Sequence, residues 1–239
     1  MTLPDSWVPG AHTASGVTHP TFRKGTGPGV VVVHEIPGLT AEVVGFADEL
    51  VEAGYTVVLP HLFGEAGRSM STGQVAKVFP RVCISREFTV LAAGETSPVV
   101  GWLRDLASTL HDELGGPGVG ALGMCFTGGF ALAMAVDTSV AAPVLCQPSL
   151  PLPIGRRRAG DLGLSPADLD SVRQRGCSVL GLQFDKDPTT GTRFDTLDRE
   201  LGNAFIRVDL PGRGHSTVTV HRRQEAVDAV LSFFDAQLR

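Results

Sequence analysis

Short, almost wholly apolar runs alternate along the chain with segments whose apolar residues recur at helical spacing. "VVVVH", from Val30 to His34, is continuous in apolar character, as a strand covered on both faces should be. The next segment, 41-AEVVGFADELVEAG-54, places Val43, Val44, Phe46, Leu50 and Val51 on one helical face, and Gly54 closes it. "YTVVLP" predicts a second strand. A helix entered at Ser97-Pro98 leads to the run "VGALGM", and a helix over "FTGGFALAMAV" leads to "AAPVLC". Ser165-Pro166 opens "ADLDSVRQRG", with serine as cap and proline at the first helical position. "SVLGLQF", a helix over "TRFDTLDRELG", "AFIRVDLP" and a final amphipathic helix over "HRRQEAVDAVLSFFDAQL" complete the series. Six strand signals separated by helices predict one α/β domain over residues 1–239, built on a doubly wound, mostly parallel sheet flanked by helices.

Two segments break the alternation. Residues 61–97 form a long connection, and 147-QPSLPLPIGRRRAGDLG-163 is rich in proline, glycine and arginine. Both follow strands, which puts them over the C-terminal edge of the sheet, where open α/β folds bind ligands. They are expected as lids, as pocket walls or as plain surface excursions.

Composition narrows the function class. Hydrophobic residues make up 43% and charged residues 19%, the balance of a soluble globular protein. A net charge of -5 gives no pull toward nucleic acid or an anionic membrane, and the one basic cluster, Arg156-Arg157-Arg158, is too short to change that. The longest apolar stretch, residues 119–136, is interrupted by glycines and reads as strand plus helix rather than a membrane span. The N-terminal residues carry no basic region followed by an apolar run, so a cytoplasmic location is expected. Cys83, Cys125, Cys146 and Cys177 lie far apart with no paired metal spacing, as reduced thiols do.

One cysteine stands out. In 123-GMCFTGG-129, Cys125 sits between a predicted strand and a predicted helix among residues of small bulk. A sharp strand-to-helix turn exposes its central side chain above the sheet and aims the first helical amides at it. Cysteine there reads as a nucleophile, although a small buried cysteine at a strand end is also common. Later strand ends supply partners. "GLQFDKDPTTG" places Asp185 and Asp187 just past a strand, and "VDLPGRGHSTV" places His215 in a glycine-rich loop after the last one. Cys125, Asp187, His215 is the chain order nucleophile, acid, base that this architecture uses. His221 is the alternative base. A metal site from His34, Glu35 and His61 is weaker, since it lacks any standard ligand spacing, and no metal or organic cofactor is expected.

"GMCFTGG" after an apolar strand, "VVVHEIPGLT" with Glu35 at the end of the first strand, and the Asp187 and His215 loops together resemble the dienelactone hydrolase family, from about Val30 to the C-terminus. The resemblance implies an α/β-hydrolase fold with a cysteine nucleophile. It favours Asp187 over Asp185 as the acid, gives Glu35 the role of contacting the resting thiol and taking up its proton, and maps the oxyanion hole onto the backbone amides of Ile36 and Phe126. Three departures accompany it. Thr127 stands where the family motif has glycine, "PHL" with His61 replaces "PDL", and no arginine follows His215 until Arg222, where founding members hold a substrate carboxylate. Arg81 and Arg86 in the long connection are the remaining candidates for that anion.

The expectation is therefore hydrolysis of a lactone or small carboxylic ester through a thioester on Cys125, by a monomer or small homo-oligomer whose only partner is that small molecule. A non-catalytic protein on the same fold, a thiol redox sensor or a ligand-binding module, is the alternative, but a sensor has no need of Asp187 and His215.

Overall fold

A computed structural model describes residues 3–85, 87–88, 93–153 and 155–239, with Cys83 and Ile84 described by backbone alone. Its centre is an eight-stranded sheet in the order β1-β2-β4-β3-β5-β6-β7-β8. The strands are β1 (Val8–Ala14), β2 (Val17–Lys24), β3 (Gly29–Val33), β4 (Thr56–Pro60), β5 (Val119–Met124), β6 (Val140–Cys146), β7 (Val179–Phe184) and β8 (Phe205–Leu210). From β4 to β8 every neighbour is parallel, whereas β1 and β2 pair antiparallel with each other and β2 pairs antiparallel with β4. This is the doubly wound, mostly parallel arrangement of an α/β-hydrolase.

The helices that cover the sheet are α1 (Ala41–Glu52), α2 (Thr72–Ile84), α3 (Val99–Leu114), α4 (Gly128–Met134), α5 (Gly155–Ala159), α6 (Pro166–Arg175), α7 (Arg193–Leu201) and α8 (Gln224–Leu238). Strand β3 shows how they divide. Val30 and Val32 point to one face and join the core beneath α1 and α8, while Val31 and Val33 join the core beneath α3, α4 and α7. Burial on both faces accounts for the unbroken valine run.

Two features go beyond the sequence reading. Residues 8–24, which precede the predicted sheet, are its antiparallel edge hairpin. The turn is Ser15-Gly16, with both residues at positive φ (50° and 78°), the geometry a two-residue hairpin loop requires. His12 and His19 face each other across this hairpin and pack edge-on against Trp102. The long connection 61–97 also contains α2, whose start is fixed by Ser71 Oγ accepting from the Gln74 amide at 3.3 Å. Pro80 and Gly73 inside it had masked the helical pattern.

Candidate active site

The site forms where β3, β5, β6, β7 and β8 end. Cys125 follows β5 directly and adopts φ +53°, a left-handed conformation unusual for a non-glycine residue. The turn leaves no room for larger neighbours. A Cβ on Gly123 would stand 2.2 Å from the Thr127 carbonyl oxygen, and one on Gly128 would stand 2.6 Å from Pro148 Cα. Thr127 itself has a use that glycine could not supply. Its buried Oγ1 lies 2.9 Å from the Val33 carbonyl oxygen and 3.2 Å from that of His34, and it accepts from the Met124 amide at 3.2 Å. One hydroxyl thus ties the end of β3 to the turn that carries the thiol.

Asp187 follows β7. Its Oδ1 accepts from the Thr189 amide and hydroxyl at 2.9 and 2.7 Å, and its Oδ2 accepts from His215 Nδ1 at 2.6 Å. Asp185 is turned elsewhere: its Oδ1 accepts from the Gly212 amide at 2.8 Å in an exposed position. Burial disfavours a charged Asp187, but the bonds from His215 and Thr189 outweigh it and hold the carboxyl below its usual range. Burial likewise disfavours a charged His215, yet its hydrogen bonds to Asp187 and Cys125 prevail and raise the imidazole to about 10. His221 lies beside this loop, its Nδ1 3.4 Å from the His215 amide.

Glu35, just past β3, is 1% exposed. Ser216 Oγ donates to its Oε2 at 2.8 Å and Thr219 Oγ1 donates to its Oε1 at 2.5 Å. Burial raises its pKa despite these two donors. Ligand atoms of Glu35, Cys125 and His215 all lie within 4.8 Å of one another, the one such convergence of His, Cys and acidic groups among the described residues. His34 does not join it. Its Nε2 accepts from the Leu62 amide at 3.1 Å, and burial lowers its pKa to about 3.

These groups open on a cavity of about 340 Å³ that Ile36 and Phe126 also line. The Phe126 amide belongs to the first turn after the strand, a short turn from Cys125 to Thr127. Both irregular connections contribute walls: Met70, Val75 and Phe79 from the first, Leu150, Leu152 and Pro153 from the second. Arg81 lines a different cavity, with Lys77 and Phe88, on another face of α2, and Arg86 lies outside the described residues.

Four neighbours of the site were not singled out by sequence. Ser149 Oγ is 3.4 Å from Cys125 Sγ, and Thr189, Ser216 and Thr219 hold the two carboxylates. Adjacency in sequence to Asp187 or His215 could have flagged Thr189, Ser216 and Thr219, whereas Ser149 lies in the separate 147–163 connection. Further back, the buried Arg193 donates to the carbonyls of Asp161, Thr189, Thr190, Pro151 and Arg158, which pins the second connection to the loop of Asp187.

The model of the dienelactone hydrolase family matches residues 16–216. The chain belongs to the dienelactone hydrolase family. It is a hydrolase of that family, with a cysteine at the nucleophile position beside histidine and acidic groups. No curated protein sequence matches it. Solved structures similar to this dienelactone hydrolase family member share the fold along nearly their whole length. A dienelactone hydrolase from Anabaena variabilis is 16% identical, with TM-score 0.68 and 98% of each chain covered. A dienelactone hydrolase-like promiscuous phosphotriesterase from metagenomic libraries is 18% identical, with TM-score 0.65 and again 98% of each covered. A structure from a study of carboxylesterases of the thaumarchaeon Nitrososphaera gargenis is 14% identical, with TM-score 0.63, 95% of this chain and 98% of that one covered. Among the described residues no helix is long and apolar enough to cross a membrane.

Proposed function

We propose that the protein hydrolyses a lactone or carboxylic ester through a Cys125–His215–Asp187 triad. The observation that supports this most is the Asp187–His215 bond of 2.6 Å beside a thiol held at positive φ on one cavity. With Nδ1 donating to Asp187, Nε2 faces the thiol side; an imidazole raised to about 10 takes the thiol proton before substrate arrives and keeps it, leaving a thiolate beside an imidazolium. The thiolate attacks the carbonyl carbon, and the amides of Ile36 and Phe126 stabilise the negative charge that develops on oxygen. Collapse expels the alkoxide, which receives the proton from His215, and leaves a thioester on Cys125. His215 then deprotonates water, which cleaves the thioester and regenerates the thiol.

Glu35 assists the first step as a relay, receiving the thiol proton and passing it on to His215. A poorly solvated carboxylate is a better base, and its two hydroxyl donors hold it within 4.8 Å of sulfur. The test is a burst of p-nitrophenol from p-nitrophenyl acetate followed by steady release. The acylated enzyme is trapped by acid quench and the adduct mapped by mass spectrometry. An adduct on Cys125 agrees with this function. Steady release without one, or full turnover by Cys125→Ala, sinks it.

A further inference from the structure

The catalytic cavity is not closed at its outer end. Met70, Val75 and Phe79 line it, and the same three side chains line an adjoining groove of about 530 Å³. The groove continues over Ala76 and Pro80 on the outer side of α2. Phe79, 36% exposed, stands at the junction as one of the few large apolar side chains left in solvent.

The charge along this path is as informative as its shape. Among the described residues lining the cavity and the groove there is no lysine or arginine. The single carboxylate, Glu35, has each oxygen engaged by a hydroxyl. Arg81 and Lys77 sit on another face of α2, over the separate cavity. A substrate carboxylate in the inner cavity would be desolvated with no lysine or arginine among the described lining residues to meet it, and the imidazolium of His215 is already paired with Asp187, so its burial is costly. An alkyl group would be removed from water at every step from the thiol to the groove.

The geometry points to a neutral ester or lactone bearing a long apolar arm, which runs from the Cys125 thiol past Phe79 into the groove on α2. This deepens the proposed esterase and rests on it. Phe79 and Met70 act as specificity-determining residues at the neck. The arm takes no part in the chemistry, so its binding energy appears in kcat/KM according to how much of it leaves water.

Two sets of measurements test this, one independent of turnover. In the first, neutral alkyl amides of two to twelve carbons, extended on either the acyl or the amine side, are titrated into Cys125→Ala by calorimetry. Affinity should rise by about fourfold for each methylene buried, on at least one side, and continue to rise beyond short chains. A flat series on both sides overturns the inference. In the second, kcat/KM is measured for p-nitrophenyl esters of the same acyl lengths and for alkyl esters of one short acid. Ala76→Glu, which places a charge in the outer groove alone, should collapse the ratio of long-chain to short-chain values. An unchanged ratio counts against the groove. If the amides bind with the expected length dependence but no ester acylates Cys125, the hydrolase assignment fails and the apolar site stands. If the wild type sediments as a dimer that Ala76→Glu dissociates, while the amide series stays flat, the groove belongs to a second copy of the chain.

Discussion

Arg193 and Glu35 are each 1% exposed, and both are ionisable, yet the surroundings of the two differ in kind. Arg193 spends its donors on five backbone carbonyls and does not line the cavity. Burial lowers its pKa to about 10, which still leaves it charged near neutrality. Glu35 is held by two hydroxyls alone, and it faces a thiol and an imidazole across a few ångströms of open cavity. Burying a charge is therefore no pointer to chemistry by itself. The pointer is a buried group that can change its proton count and has an unfilled side toward a space where substrate fits.

The contrast can be broken by mutation, and the sharpest break lies at the centre of the site. Cys125→Ala should lower kcat by on the order of 10⁴-fold or more while melting as the wild type does, since a covalent nucleophile has no substitute. His215→Ala should cost roughly 10²–10⁴-fold in kcat, whereas His221→Ala retains most of the activity. Parity between these two histidine variants would move the base to His221.

Next in size is the choice of acid. Asp187→Asn should lower kcat by at least about 10²-fold, because the amide no longer fixes the tautomer of His215. Asp185→Asn should leave kcat close to wild type, since that carboxylate caps only the Gly212 amide. The reverse ranking in steady-state assays would undo the triad as drawn.

Arg193→Met and Glu35→Gln should then give opposite patterns. The first orphans several buried carbonyls and should destabilise the fold by about 3 kcal/mol in denaturant titrations, while Cys125 still alkylates first. The second should leave the unfolding midpoint nearly in place but shift the pH profile of Cys125 alkylation by iodoacetamide. An unmoved profile removes Glu35 from control of the thiol. Cys146 is fully buried, and burial pushes its thiol up, so it should alkylate slowest among the described cysteines whichever variant is used.

A gentler probe is pH. His215 is raised from 6.5 to about 10 in the fold, so it binds its proton more tightly there than in the unfolded chain. Its contribution to stability is complete below about pH 6.5 and is lost as pH rises through about 10. The melting temperature should fall across that window, and Asp187→Asn should flatten the fall. An identical slope in both proteins would show that some other group dominates.

Much of the fold was legible because both faces of the parallel strands are buried, which writes each strand as an unbroken apolar run. The β1–β2 hairpin was not legible, since most of its residues are exposed and its sign was only the Ser15-Gly16 dipeptide. Helix α2 was hidden by Pro80 and Gly73. At the site, Cys125, Asp187 and His215 were visible as chemistry-bearing residues at strand ends, where topology brings loops together. The residues that hold them were not. Ser149, Thr189, Ser216, Thr219 and Arg193 are ordinary residue types, and several meet their partners across dozens of positions, as Thr219 meets Glu35 at a separation of 184.

Arg193 also bears on how such an enzyme is re-engineered. By fastening the 147–163 connection to the Asp187 loop it makes one wall of the cavity part of the catalytic frame, so changes there disturb the acid along with the pocket. The opposite wall, Met70 to Phe79, belongs to a connection outside the sheet and carries none of the reacting groups. A library confined to that stretch searches new substrates at little risk to the machinery, whereas one spread over both walls sacrifices most of its members to loss of function.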